Sequence, residues 1–64
     1  MVGDNIKAAR IAAGLTQKEL AAKIGLRHYQ ILQRWEYGQF KPSMNYLLKL
    51  ADTLNMPIEE LARD

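Results

Sequence analysis

The segment LTQKELAAKIGLRHYQILQRWE, residues 15–36, contains the signals for two short helices separated by a glycine. Thr16 and Glu19 have the spacing of a capping box, in which each side chain bonds the backbone N–H of the other residue at the start of a helix. An apolar stripe follows at helical spacing, and Gly25 can take the left-handed conformation that ends a helix. A second helix then follows almost at once.

Residues 27–37 separate into two faces when they are placed on a helix at about 100° per residue. The expected packing face consists of His28, Ile31, Leu32 and Trp35. The other positions carry mostly long hydrogen-bonding side chains, namely Arg27, Tyr29, Gln30, Gln33, Arg34 and Tyr37. Glutamine can pair with adenine, and arginine with guanine, in a major groove that admits a helix. A polar outer face is also typical of a solvated surface helix, so this pattern alone leaves both interpretations open.

The flanking sequence predicts three more helices and no strand. Asp4 can cap a first helix over Asn5–Ala13. Ser43 can cap a fourth helix that ends at Asn55, a residue that tolerates positive φ. The apolar face of this fourth helix is formed by Leu47, Leu48, Leu50, Ala51 and Leu54. Pro57 suits the first turn of a fifth helix, so we expect an all-α fold of five short helices.

The 64-residue chain is long enough for one small domain over residues 1–64, and it has no cysteine. No apolar run approaches the roughly 18 residues of a membrane span, and a cytoplasmic protein is expected. One histidine and the absence of metal-ligand spacing argue against an enzyme, a cofactor or a metal site. Residues 17–41 carry five basic against two acidic side chains, whereas residues 51–64 carry four acidic against one basic. A polyanion would therefore meet the middle of the chain.

The complete pattern resembles the lambda-repressor and Cro-type helix-turn-helix domains of prokaryotic and phage regulators, also called the xenobiotic-response-element family. The similarity runs from Ile6 to Leu61 and rests on LTQKELAAKIG, RWEYGQFKPS and LLKLADTLNMPIEEL. It implies a compact five-helix lambda-repressor-like fold in which helices two and three form the helix-turn-helix. It also implies a sequence-specific regulator of transcription that binds double-stranded DNA. We expect a repressor that inserts helix three, about residues 27–36, into the major groove.

The spacing between Gly25 and Trp35 departs from the family pattern, because nine residues separate them, one more than is usual. Counting forward from Gly25 makes Ile31 the buried anchor of helix three. The base contacts on this count are His28, Tyr29 and Gln33. Counting back from Trp35 makes Leu32 the anchor. The base contacts are then Tyr29, Gln30 and Arg34. The extra residue lies either in a longer turn or in a bulge of the helix.

The helical faces and the resemblance together assign two sets of DNA contacts. The expected base-reading residues are Arg27, Tyr29, Gln30, Gln33 and Arg34. The expected phosphate contacts flank helix three and are Thr16, Gln17, Tyr37, Gln39, Lys41 and Asn45. In addition, Arg10 and Glu36 match positions at which the family forms a partly buried ion pair between helices one and three.

A single recognition helix reads only a few base pairs, and family members gain specificity as two-fold dimers. We expect a weak homodimer, strengthened on DNA, through residues 55–64, where Met56, Ile58 and Leu61 offer apolar surface. The alternative function is a protein-interaction module of the same fold, such as an antitoxin or an accessory subunit. Such a module would bind a protein partner through exposed aliphatic side chains on helix three.

Overall fold

The computed structural model describes all residues from Met1 to Asp64 and consists of α-helices and connecting turns, with no strand. The helices are α1 (Val2–Ala12), α2 (Gln17–Lys23), α3 (Tyr29–Glu36), α4 (Met44–Thr53) and α5 (Ile58–Leu61). None of them combines the length and the apolar character that a membrane crossing requires. The predicted all-α architecture of five helices is confirmed.

The core receives one fully buried side chain from each helix. These side chains are Ile6, Leu20, Leu32, Leu50 and Leu61. Helix α3 packs against both α1 and α2, and α5 packs against both α1 and α4. Burial of each such side chain stabilises the fold by about 1.5–3 kcal/mol, so every helix contributes to holding α3 in place.

Helix α1 begins at Val2, before the predicted start at Asn5. Val2 and Ile6 lie one turn apart and are both buried, so packing extends the helix toward the N-terminus. The prediction that Asp4 caps the helix is therefore wrong; it lies in the first turn, where its charge suits the helix dipole. Gly3 contacts the last carbonyl groups of α3 so closely that a Cβ atom would collide with them.

The turn between α2 and α3 contains the extra residue of this chain. Gly25 has φ of 79°, the left-handed conformation that its position predicts. Helix α3 begins at Tyr29 rather than at Arg27, and it is a regular α-helix to its end. The longer turn, and not a bulge, therefore absorbs the additional residue. The expectation that His28 packs is wrong, because it is exposed and precedes the helix in an extended conformation.

The register of α3 follows from which aliphatic side chain is buried. Leu32 is fully buried next to Trp35, whereas Ile31 is half-buried at the edge of the core. The structure thus matches the count back from Trp35. On that count, the family's base-contact positions correspond to Tyr29, Gln30 and Arg34.

Helix α4 starts after Ser43 as predicted, but it ends at Thr53, two residues before the predicted end at Asn55. The Oγ atom of Ser43 accepts a hydrogen bond from the N–H group of Tyr46 at 3.3 Å, and Asn55 has φ of 55°. Pro57 directly precedes α5 as its N-cap. One residue of the predicted apolar face is misplaced: Leu48 is 51% exposed, because it lies to the side of the buried positions.

Candidate nucleic-acid interface

The start of α2 is fixed by a complete capping box. The N–H group of Thr16 donates to Oε1 of Glu19 at 2.8 Å, and the N–H group of Glu19 donates to Oγ1 of Thr16 at 3.0 Å. The hydroxyl of Thr16 accepts one bond and keeps its own hydrogen for another acceptor. This end of α2 can therefore donate to an anion while its cap remains intact.

The capping box also affects the carboxyl group of Glu19. The hydrogen bond from the backbone of Thr16, followed by the one from its side chain, lowers the pKa of Glu19 below its ordinary value of 4.5. Glu19 is thus charged at neutral pH and stays near the N-terminus of α2.

The structure has no group of three or more His, Cys, Asp or Glu side chains that is arranged to hold a metal ion.

The structure contains the ion pair between Arg10 and Glu36 that the family resemblance implies. Nε of Arg10 donates to Oε2 of Glu36 at 2.7 Å, and Nη2 donates to Oε1 at 3.1 Å. Nη1 of Arg10 also donates to the carbonyl oxygen of Leu15 at 2.9 Å. The side chains are only 11% and 1% exposed, so this bidentate pair ties α1 to the C-terminal end of α3.

Gln17 joins this pair to α2. Its Nε2 atom donates to Oε1 of Glu36 at 3.1 Å, and the side chain is half-buried. One hydrogen of the amide remains free, together with the backbone N–H group in the first turn of the helix. No pattern in the sequence indicates the bond between Gln17 and Glu36. Through it, a single buried carboxylate contacts side chains from α1 and α2 and orients α3 relative to both helices.

The outer face of α3 carries the polar side chains that the sequence assigns to DNA. Gln30 and Arg34 are exposed one turn apart, and Tyr29 and Gln33 form a half-buried row beside them. Arg27 is exposed in the turn before the helix. The one acidic residue of α3, Glu36, is buried in the ion pair. The exposed surface of the helix is therefore free of negative charge.

The connection between α3 and α4, together with the first turn of α4, contains the remaining predicted phosphate contacts. Tyr37, Gln39, Lys41 and Asn45 are all exposed. Asn45 lies in the first turn of α4, where backbone N–H groups have no partner within the helix. The base-reading residues thus lie between two groups of hydrogen-bond donors. One group is at the start of α2, before α3 in the chain, and the other follows α3.

The structure corrects the predicted dimer surface at the C-terminus. Leu61 is fully buried in the core, because α5 packs on α1 and α4 at once. Its assignment to a protein interface is wrong. Met56 and Ile58 are half-buried against the same core, so only part of each side chain is accessible.

Three of the larger exposed apolar side chains lie instead in α4 or just before it. Phe40 is 60% exposed, Met44 is 61% exposed and Leu48 is 51% exposed. Met44 and Leu48 are one turn apart and share a face of the helix. The predicted apolar face of α4 includes Leu48 because this residue directly follows the buried Leu47. The spacing of Met44 and Leu48 was the available signal.

Comparison with known proteins agrees with this geometry. The helix-turn-helix family matches residues 6–61, which include most of every helix. Two uncharacterized HTH-type transcriptional regulators of Archaeoglobus fulgidus are similar over 56 residues each. The first is 39% identical, over 88% of this chain and 79% of the relative. The second is 36% identical, over 88% of this chain and 78% of the relative.

A solved structure shows the same arrangement of helices. The restriction-modification controller protein C.AhdI from Aeromonas hydrophila superposes with a TM-score of 0.86 and is 35% identical in sequence. The match covers 94% of this chain and 89% of that protein. The chain therefore belongs to the Cro/C1-type helix-turn-helix family, a family of DNA-binding transcriptional regulators and not of enzymes.

Proposed function

We propose that the protein regulates transcription by inserting α3 into the major groove of a specific duplex sequence. The observation that carries this proposal is the outer face of α3, where Gln30, Gln33 and Arg34 offer side chains suited to bidentate base contacts. An α-helix with its side chains is about 10–12 Å in diameter, and the major groove is about 12 Å wide. Arg27 and Tyr29 lie at the leading end of the helix and reach the edge of the same site.

Phosphate contacts on both sides would set the register of α3 along the DNA. Before α3, the free hydrogens of Thr16 and Gln17 can donate to a phosphate oxygen. After α3, the exposed donors are Tyr37, Gln39, Lys41 and Asn45. These contacts position the helix but carry no sequence information, so discrimination between operators depends on α3.

Repression by occupancy is the proposed mode of regulation, because binding alone then excludes other proteins from the same DNA. The alternative, a module that binds a protein partner through α3, requires exposed aliphatic side chains there. The one candidate, Ile31, is half-buried against the core. The polar outer face of α3 therefore favours DNA over a protein partner.

We also propose a weak homodimer that DNA strengthens. The exposed apolar side chains Phe40, Met44 and Leu48 provide the contact. A second copy suits this surface because one recognition helix reads too few base pairs to select a site in a genome. Two-fold pairing next to the α3–α4 connection would place two recognition helices on one side of the DNA.

Selection of a duplex from a random pool, followed by sedimentation of the complex, tests both parts of this proposal. We expect a palindromic site and two protomers per duplex. Leu48→Glu should reduce the complex to one protomer, because two carboxylates would face each other across the contact. Ile11→Glu is the matched control, since Ile11 is also more than half exposed but lies on α1. A one-to-one complex of the unaltered protein on an asymmetric site would rule out the dimer.

A further inference from the structure

A cleft of about 180 Å³ lies between α2 and the beginning of α3. It is lined by Lys18, Ala21, Ala22, Leu26, Arg27 and Tyr29. Tyr29 is also the first residue of α3, so the cleft adjoins the leading end of the helix that would enter the major groove. The proposed contacts of the polar base-reading residues do not explain why an apolar cleft lies at this position.

The walls of the cleft are held by the fold. Ala21 belongs to the buried core, and Leu26 and Tyr29 pack against that core while remaining partly accessible. The Nζ atom of Lys18 lies 5.2 Å from the centre of the Tyr29 ring, a cation–π contact that keeps the ring against α2. The cleft is therefore a preformed feature of the surface, which keeps the cost of ordering it on binding low.

The chemistry of the lining restricts what the cleft can accept. Four of the six lining residues are hydrophobic, and no acidic side chain is among them. Lys18 and Arg27 supply positive charge beside an apolar floor. A phosphate placed on that floor would lose water without gaining hydrogen bonds there, which is unfavourable. An apolar group attached to an anionic chain matches the lining better.

Only one apolar group is presented in the major groove of DNA, the C5 methyl group of a pyrimidine. Thymine carries it in ordinary DNA, and 5-methylcytosine carries the same group at the same position. We propose, on the basis of the major-groove role of α3 proposed above, that this cleft receives a pyrimidine C5 methyl group. Lys18 then contacts the phosphate backbone beside that base, and Arg27 remains at the edge of the base-reading site.

The proposal makes the protein sensitive to a single methyl group at one position in each half-site. Replacing thymine by deoxyuridine removes that group and changes nothing else in the base pair. From the free energy of burying one such group, affinity should fall about fourfold per methyl group removed. At the same position, 5-methylcytosine should bind about fourfold more tightly than cytosine.

The test uses the full chain and a duplex selected from a random pool, with each thymine replaced by deoxyuridine in turn. Ala22→Leu fills the cleft from an exposed position on α2, and its thymine-to-deoxyuridine affinity ratio should fall to one. Ala8→Leu makes the same change at an exposed position on α1 and should keep the fourfold ratio. Circular dichroism of both variants reports whether they fold.

The outcomes separate this inference from the function on which it rests. Failure to select any duplex would overturn the proposed function. Specific binding with equal affinity for thymine and deoxyuridine at every position, and for cytosine and 5-methylcytosine, would overturn the methyl cleft alone. A fourfold ratio that survives in Ala22→Leu would assign the methyl contact to another part of the protein. If only the thymine methyl group changes the affinity, thymine is the base that the cleft recognises. If the methyl group of 5-methylcytosine also raises the affinity, the cleft accepts methylated cytosine as well.

Discussion

Raising the salt concentration from about 50 to about 200 mM is expected to lower the affinity of the protein for duplex DNA roughly a thousandfold. The physical reason is the release of condensed counterions when protein groups neutralise phosphates. A dimer with about three phosphate contacts per protomer displaces enough ions for an effect of this size. The contacts come from the two donor groups that flank α3. Fluorescence anisotropy of a labelled duplex at several salt concentrations measures the slope directly.

Two lysine variants show whether the slope comes from the proposed interface. Lys41→Gln removes a positive charge from the α3–α4 connection and should reduce the slope by about one for each protomer bound. Lys7→Gln is the matched control, because Lys7 is exposed on α1, outside the proposed contacts. A salt response that is flat in the unaltered protein, or equally reduced by both substitutions, would contradict the assignment of phosphate contacts.

Glu36→Ala is expected to reduce the free energy of unfolding by about 3–5 kcal/mol, which is comparable to the total stability of so small a domain. The substitution leaves the buried guanidinium of Arg10 without its bidentate partner and also frees the amide of Gln17. An unpaired buried charge costs far more than the pair itself contributes. Urea unfolding followed by Trp35 fluorescence gives the value.

Two further variants show whether the loss of stability comes from breaking the ion pair or merely from removing a carboxylate. Glu60→Ala removes an exposed carboxylate from α5 and should change stability by no more than about 0.5 kcal/mol. Arg10→Met combined with Glu36→Leu replaces both charges by apolar groups and should cost less than Glu36→Ala alone. If Glu36→Ala lost less than about 1 kcal/mol, the ion pair would not be what holds α3 in position.

Local signals in the sequence were enough to predict the elements of the fold. The capping box at Thr16 and the cap at Ser43 depend on neighbouring residues only, and so does the turn at Gly25. The start of α1 could not be predicted in this way, because it depends on Val2 entering a core formed by distant helices. The need for glycine at position 3 could not be predicted either. It depends on the close approach of α3, and no pattern within α1 indicates that contact.

The candidate site was predictable to a different extent. The helical faces of residues 27–37 identified Gln30 and Arg34 as outward-facing, but the family spacing alone left the register open by one residue. Burial of Leu32 resolved it. The ion pair was expected from the resemblance and not from periodicity. The contact between Lys18 and Tyr29 could not be predicted, because it depends on how the longer turn directs α3 against α2.

The central claim is that the outer face of α3 distinguishes one DNA sequence from another. Its most direct test compares affinities for a selected duplex and for a scrambled duplex of equal length, at one salt concentration. The unaltered protein should prefer the selected duplex at least about a thousandfold. The double variant Gln30→Ala and Arg34→Ala should lose about 1–3 kcal/mol of discrimination for each base pair that these side chains contact, while binding the scrambled duplex nearly as before. A double variant that keeps the full preference would contradict the claim that α3 reads the sequence.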